Sequence, residues 1–269
     1  MKCIHYTLFV ILVSCSTVGS KQPHDPFEKS PDDSQDHLIM ATLWYQKSAE
    51  RRALCYQSFN WAKIIIDQQL LLPSQGKKAV ILDIDETILD NRPFQAELIL
   101  QKQPYHPDLW YQWTRHASAE ALPGALGFCQ YLYEKNIEIF YVSNRTMNER
   151  KSTIKNLSEL GFPYADHNHL LLKDSTGSKK ARIEKVDDTH EIILMMGDNL
   201  NDFSALFEDR SAHDGHLLVD QYAEDFGSRF IILPNPMYGA WEAALNQNEQ
   251  PLTSGDNVTR LKQKLTGYR

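Results

Sequence analysis

Three groups of polar side chains in this sequence each close a short apolar run: Asp83-Ile84-Asp85-Glu86-Thr87, then Ser143-Asn144-Arg145, then Gly197-Asp198-Asn199 with Asp202 close behind. The acids Asp83, Asp85, Asp198 and Asp202 have the types a reacting centre needs: carboxylates that attack, carboxylates that carry protons, and oxygen ligands for a cation. A lone aspartate after a strand is ordinarily a turn residue or a helix cap. Capping needs one acid per helix, so four converging on one point ask for another explanation. Oxygen donors unaccompanied by His or Cys select a hard divalent ion over a soft one.

Convergence depends on the elements that carry these groups. The runs 79–84, 137–142, 191–196 and 229–233 are rich in β-branched and aromatic residues, and helical stretches of ten or more residues separate them. That alternation predicts right-handed crossovers and a parallel sheet with helices on both faces. Ligands bind beyond the carboxyl ends of strands in such a sheet, which brings the three polar groups to one pocket. A further edge strand is expected at 170–172. Before the first strand, 35–72 shows apolar residues at helical spacing with no Gly or Pro inside, hence one long helix or two in succession ending near Pro73 and Gly76. An aromatic-rich stretch, with Phe94, Tyr105, Trp110, Tyr111 and Trp113, reads as a small, mainly helical cap inserted at about 92–120. The expected organisation is a signal segment 1–14, a tether 15–34 and one α/β domain over 35–269.

The motifs LDIDETILDN (82–91), Pro123-Gly124-Ala125, VSNR (142–145), Lys179-Lys180-Ala181-Arg182, GDNLNDF (197–203) and PNPMYG (234–239) together resemble the class C acid phosphatases. These are the lipoprotein e-like bacterial branch of the haloacid dehalogenase-like superfamily, and they include 5′-nucleotidases. Asn201 departs from the family, which often has aspartate there. The resemblance implies a Rossmann-like HAD fold and hydrolysis of phosphomonoesters through an aspartyl-phosphate. Four carboxylates facing a phosphate dianion repel it by about 4 kcal/mol per unit pair at 4 Å and an effective dielectric near 20, so a cation is required. Mg²⁺ suits the oxygen ligands and the phosphate. Asp83 and Asp198 are the expected side-chain ligands, with Asp202 holding a metal-bound water. The resemblance adds the backbone carbonyl of Asp85.

Asp83 is then the nucleophile, and Asp85, two residues on, the acid that protonates the leaving alkoxide and the base that activates water. Thr87, Ser143, the Asn144 backbone and a lysine are the expected phosphate-binding groups. The resemblance selects Lys179 over Lys180, because the family's lysine stands three residues before an arginine and Arg182 fits. Asp85 acting as an acid predicts an optimum of roughly pH 5–6.5. Trp110 and Tyr238 match positions where related enzymes stack a base or nicotinamide ring, which points to 5′-mononucleotides. Two other readings of this scaffold are phosphoryl transfer to a nucleoside and a non-catalytic surface lipoprotein or adhesin.

The formal charge of −7 over 269 residues opposes binding of nucleic acid polymers, which rests on Lys and Arg neutralising phosphates. Small phosphomonoesters need only a local cationic site. At the amino end, Lys2 precedes an apolar run, 6–13, too short to span a bilayer, followed by Leu12-Val13-Ser14-Cys15. This resembles a bacterial lipoprotein processing site. It predicts an exported protein, anchored to the outer membrane by a lipid on Cys15 or free in the periplasm. Cys55 and Cys129 are left as either a disulfide or two buried apolar residues. The ten histidines form no ligand-like pair on a helix, and His167 and His169 read as surface residues of a polar loop. Neither preferred substrate nor oligomeric state is fixed by the sequence.

Overall fold

Strand β1 (Lys77–Leu82) shows why the predicted sheet forms. After two lysines at its exposed start, all four remaining side chains are buried. Alternate residues point to opposite faces. Val80 and Leu82 therefore enter one core with Phe59, Ile65, Phe128 and Leu157, while Ala79 and Ile81 enter a second with Val186, Phe203 and Phe207. A strand apolar on both faces belongs inside a sheet covered by helices on both sides. The computed structural model describes residues 35–73, 76–245 and 257–268.

The other strands of this sheet are β4 (Glu138–Thr146), β5 (Leu170–Lys173), β6 (His190–Gly197) and β7 (Phe230–Ile232), in the order β5-β4-β1-β6-β7, all parallel. The short pieces β2 (Leu89–Asp90) and β3 (Glu120–Ala121) pair antiparallel in a separate two-stranded ribbon. The chain leaves β1 toward β4 on one side and later returns to β6 on the other, so a crevice opens at the carboxyl ends of these three strands. The sheet is the parallel α/β arrangement expected from the sequence, with 170–172 as its edge strand.

The amino-terminal helical stretch is two helices, α1 (Ile39–Lys47) and α2 (Ala49–Leu70). Ser48 separates them: its extended backbone ends α1, and its hydroxyl accepts the Arg51 N–H at 3.1 Å to cap α2. Between β2 and β3 stand α3 (Arg92–Gln101) and α4 (Pro107–His116), each with proline in its first turn. After β3 come α5 (Ala125–Glu134), α6 (Arg150–Leu160) and α7 (Lys180–Asp187), followed by the shorter α8 (His216–Gln221), α9 (Ala240–Ala244) and α10 (Asn257–Lys264). Arg51 on α2 and Asp90 on β2, each about 3% exposed, form an ion pair at 3.2 Å that fastens the helical layer to the ribbon carrying α3 and α4. Cys55 and Cys129 are free thiols buried in the same core, which settles the alternative left open by the sequence. Among the described residues no helix is long and apolar enough to cross a membrane. Cys15 and the expected signal and tether lie outside the described residues.

Candidate active site

Each acid of the first motif is aimed by the backbone between β1 and β2. Asp83 N–H continues the β1–β6 ladder by donating to Met196 O at 2.9 Å. The chain then turns tightly on itself: Ile84 O accepts from Ile88 N–H at 3.0 Å and Leu89 N–H at 2.9 Å. Glu86 takes the left-handed conformation, φ 57°, that lets this turn close. Asp83 and Asp85 are thereby held two residues apart on a short, fixed loop.

Across the crevice, β6 ends at Gly197 and delivers Asp198, and a single 3₁₀ turn (Leu200–Asp202) delivers Asp202. That turn is a capping box in which the Asp202 carboxylate accepts the Asn199 N–H at 2.9 Å. Asp83, Asp198 and Asp202 each present a carboxylate oxygen within 4.8 Å of the others. Asn235 Nδ2, from the segment after β7, donates to Asp198 at 2.8 Å. The fully buried Thr87 hydroxyl faces Asp83 at 3.3 Å and Asp198 at 3.4 Å. It is turned toward these two carboxylates.

One buried ammonium faces this group. Lys179, immediately before α7 and only 3% exposed, pairs with Asp83, with Asp202 at 2.8 Å and with Val142 O at 2.6 Å. Its neighbour Lys180 points into solvent and pairs with Glu184 along the helix. Arg182, one turn into α7, ties that helix to β4 by donating to Ser143 O at 2.6 Å and Asn144 Oδ1 at 2.7 Å. Three carboxylates against one lysine leave the pocket two negative charges in excess. Burial therefore raises Asp83 to about 7 despite the attraction of Lys179, with Asp202 and Asp85 adding to the rise. Asp198 is raised well above the usual carboxylate range by burial, then by Asp202 and Asp83. Burial alone would lower Lys179, but Asp202 and Asp83 outweigh it and keep the ammonium charged. All-oxygen donors with excess negative charge fit a hard divalent ion.

Asp85 stands apart from that trio. Arg145 grips its carboxylate through Nη2 at 2.8 Å and through Nε at 3.1 and 3.2 Å, Asn91 Nδ2 donates at 2.8 Å, and Ser143 Oγ lies 3.5 Å away. Arg145 is itself buried and is steadied by Thr153 at 3.1 Å. Asn91 is held in turn by Trp113 Nε1 at 2.8 Å. The roles of Arg145, Asn91 and Asn235 do not follow from the sequence reading, although all three lie inside motifs it singles out. The available signal was their position at strand ends; the partner each would choose was not encoded locally.

Asp83, Asp85, Asp198, Asp202, Lys179, Arg145 and Asn91 line one cleft of about 520 Å³, together with Phe94, Tyr105, Trp110, Asn144 and Tyr238. Trp110 and Tyr238 are half-buried. The Trp110 ring meets Phe94 edge-on at 5.2 Å, and the Arg145 guanidinium lies 5.7 Å from its centroid. The cleft thus has an acidic floor with one lysine and an aromatic rim supplied by α3, α4 and the segment after β7.

The family model for HAD superfamily, subfamily IIIB (Acid phosphatase) matches residues 5–241. The class C acid phosphatase from Bacillus anthracis superposes with a TM-score of 0.83 at 39% sequence identity, over 88% of this chain and 100% of that one. The same figures hold for that enzyme solved with tungstate bound. Acid phosphatase 1 of Solanum lycopersicum is 25% identical over 215 residues, 79% of this chain and 77% of that protein. Vegetative storage protein 2 of Arabidopsis thaliana is 26% identical over 211 residues, 77% and 70% of the two chains. With its acids gathered at the mouth of a parallel sheet, the chain belongs to the HAD superfamily, subfamily IIIB, as a metal-dependent acid phosphatase that hydrolyses small phosphate esters.

Proposed function

We propose that this phosphatase uses Mg²⁺, takes 5′-mononucleotides among its substrates, and works through a phosphoryl group carried on Asp83. The observation that carries the reading is the meeting of Asp83, Asp198 and Asp202 opposite the buried Lys179. Asp83 and Asp198 would hold the ion, supported by Asp202 and the Asp85 backbone carbonyl. The ion supplies the positive charge that lets a phosphate dianion approach three carboxylates. The structure of the Bacillus anthracis relative with tungstate bound supports an oxyanion as ligand.

In the first step an Asp83 carboxylate oxygen bonds to phosphorus as the ester P–O bond breaks, and Asp85 passes its proton to the departing alkoxide. In the second, Asp85 takes a proton from water as the water oxygen attacks the phosphoryl group. Inorganic phosphate leaves, Asp83 is regenerated and Asp85 regains its proton. Ser143, the Asn144 backbone and Lys179 hold the phosphoryl oxygens, Lys179 meeting the charge that accumulates on them. Thr87 is proposed with this phosphate-binding set and also orients Asp83 and Asp198, the groups its hydroxyl faces. Arg145 serves the half-reaction in which Asp85 is ionised, since its guanidinium is already paired with that carboxylate.

Trp110 and Tyr238, on the rim of the cleft, are proposed to stack the base of the nucleotide. Export and lipidation at Cys15 complete the reading, and labelled palmitate should enter the wild type but not Cys15→Ser. The enzymatic test is a panel of AMP, nicotinamide mononucleotide and p-nitrophenyl phosphate, with Mg²⁺ or EDTA, on wild type and Asp83→Asn. Asp83→Asn should fold normally and lose at least about 10³-fold in kcat on every substrate. Wild-type turnover by that variant, or full activity in EDTA, would overturn the mechanism. Trp110→Ala with Tyr238→Ala should raise KM for the nucleotides while leaving p-nitrophenyl phosphate nearly unaffected; equal effects on both would remove the nucleotide assignment.

A further inference from the structure

The two oxygens of the Asp85 carboxylate are not equivalent. Arg145 Nε is shared between them, at 3.1 Å from Oδ1 and 3.2 Å from Oδ2. Oδ1 accepts two further hydrogens, from Arg145 Nη2 and Asn91 Nδ2, each at 2.8 Å. Oδ2 has only the Ser143 hydroxyl besides, at 3.5 Å. When the group is protonated, its hydrogen sits on the oxygen that fewer donors occupy. That oxygen is Oδ2, on the side of the phosphate-binding Ser143, where a leaving group would stand.

Asn91 serves this purpose in one orientation only. Its amide has hydrogens at Nδ2 and lone pairs at Oδ1, in nearly the same shape. Turned over, it would present a lone pair to Asp85 Oδ1 and draw the proton to the wrong oxygen. The side chain that decides between the two orientations is Trp113 on α4. Its indole Nε1–H can only donate, and it lies 2.8 Å from Asn91 Oδ1. A half-buried indole needs some acceptor, and any backbone carbonyl would serve. Here the acceptor is the one side chain whose orientation bears on Asp85. Asn91 stands at the start of α3 without capping it through its side chain, and the buried Glu86 carboxylate accepts its backbone N–H at 2.7 Å. The helix that carries Trp113 is itself fixed. Just past its end, Asn156 on α6 accepts the Ala119 N–H at 3.1 Å and donates to Ala119 O at 2.9 Å. Trp110, one turn before Trp113, faces the Arg145 guanidinium at 5.7 Å, so α4 stands behind both of the side chains that grip Asp85.

We propose that Trp113 is a positioning residue for proton transfer: through Asn91 it keeps the proton of Asp85 on Oδ2, facing the departing oxygen. The inference rests on the reading of Asp85 as the acid and base of the reaction. It gives the inserted helices a part in the chemistry besides contact with the substrate. As Asp85 releases its proton, the Asn91 hydrogen is already aimed at the oxygen where negative charge gathers, so no group has to turn during the step.

The test compares two esters of similar size on the full chain with saturating Mg²⁺. Benzyl phosphate leaves as a strongly basic alkoxide that needs the proton, whereas p-nitrophenyl phosphate leaves as a weakly basic phenolate that hardly does. The quantity read is kcat/KM, which covers the steps up to transfer of the phosphoryl group. Asp85→Asn is the reference and should lose far more on benzyl phosphate than on p-nitrophenyl phosphate. Trp113→Phe, which keeps a ring and removes the N–H, should lose at least about 10-fold on benzyl phosphate and less than about 2-fold on p-nitrophenyl phosphate. Asn91→Ala should show the same selectivity, and it tests the same contact should Trp113→Phe fail to fold. Because Trp113 acts through Asn91, the double variant should lose no more than Asn91→Ala alone. Equal losses on the two esters in Trp113→Phe would reduce the tryptophan to packing and overturn the proposal. Losses that multiply in the double variant would overturn it too, by showing that Trp113 acts without Asn91. An Asp85→Asn enzyme that slows both esters alike would instead remove the acid assignment itself, and the role of Trp113 with it.

Discussion

Gly197 lets the acidic cluster exist, and adding one methyl there tests the geometry. A Cβ at this position would stand 2.4 Å from Asp202 Oδ2, 2.5 Å from its Cβ and 2.8 Å from its Cγ. Turning the Asp202 side chain cannot relieve the clash, because its Cβ is among the atoms struck. To reach an ordinary contact of about 3.4 Å, the 3₁₀ turn carrying Asp202 must retreat by roughly 1 Å. A shift of that size pulls Asp202 from the Asn199 N–H at 2.9 Å and from Lys179 at 2.8 Å. Overpacking of this kind costs about 1–3 kcal/mol of stability. Misplacing a supporting ligand lowers metal affinity about 10- to 100-fold, and a 1 Å error at a reacting centre can cost about 10²-fold in rate. Gly197→Ala should therefore bind Mg²⁺ 10- to 100-fold more weakly by calorimetry, lose about 10²-fold in kcat/KM at limiting ion, and regain part of it at high Mg²⁺. Gly127→Ala, in α5 with nothing within 4 Å of the added carbon, is the matched control and should behave as wild type or slightly more stable. Wild-type metal affinity and turnover in Gly197→Ala would refute the claim that a close approach of β6 positions Asp202.

In EDTA, raising the pH should destabilise the protein. With Asp83 raised to about 7, the native state binds more protons than the unfolded chain between about pH 4 and 7, so stability falls across that window, by on the order of 4 kcal/mol from this group alone. Saturating Mg²⁺ should abolish the fall, and Tm against pH with an unchanged slope in the two conditions would contradict the charge accounting. Arg51→Ala leaves Asp90 to Arg92 alone, whose Nε lies 2.8 Å away, and should lower stability by about 1–3 kcal/mol in urea denaturation, whereas no measurable loss would mean that the Arg51 pair does not fasten the ribbon. Arg145→Lys keeps the charge but loses the two-nitrogen grip on Asp85, so kcat should drop about 10- to 100-fold with KM little changed. A KM effect alone would assign Arg145 to substrate binding instead.

What the sequence made legible, and what it hid, follows from how far each feature reaches along the chain. The strands could be read because burial on both faces demands continuous apolar runs, and the polar residue ending each run marks the carboxyl edge without further information. Asp83, Asp198 and Asp202 are visible on that ground alone, since their convergence needs only parallel strands and the order in which the sheet is wound. Lys179 and Lys180 are adjacent and chemically identical, and the register of α7, which buries one and exposes the other, depends on packing against β4 that no local pattern specifies. The same limit hid Arg145. A strand-end arginine reads as a solvated residue until the turn at Glu86 brings Asp85 beneath it, 60 residues away in sequence. His169 and His190 meeting Glu138, at 3.5 and 3.1 Å, are the extreme case: three residues on three elements, with no spacing that relates them, joined because β4 and β6 flank β1, so that His169 is largely enclosed where the sequence places it at the surface. Motifs that lie within one loop can be read from a string, whereas a constellation assembled across a sheet edge has to be searched for as charge and hydrogen-bond accounting in three dimensions.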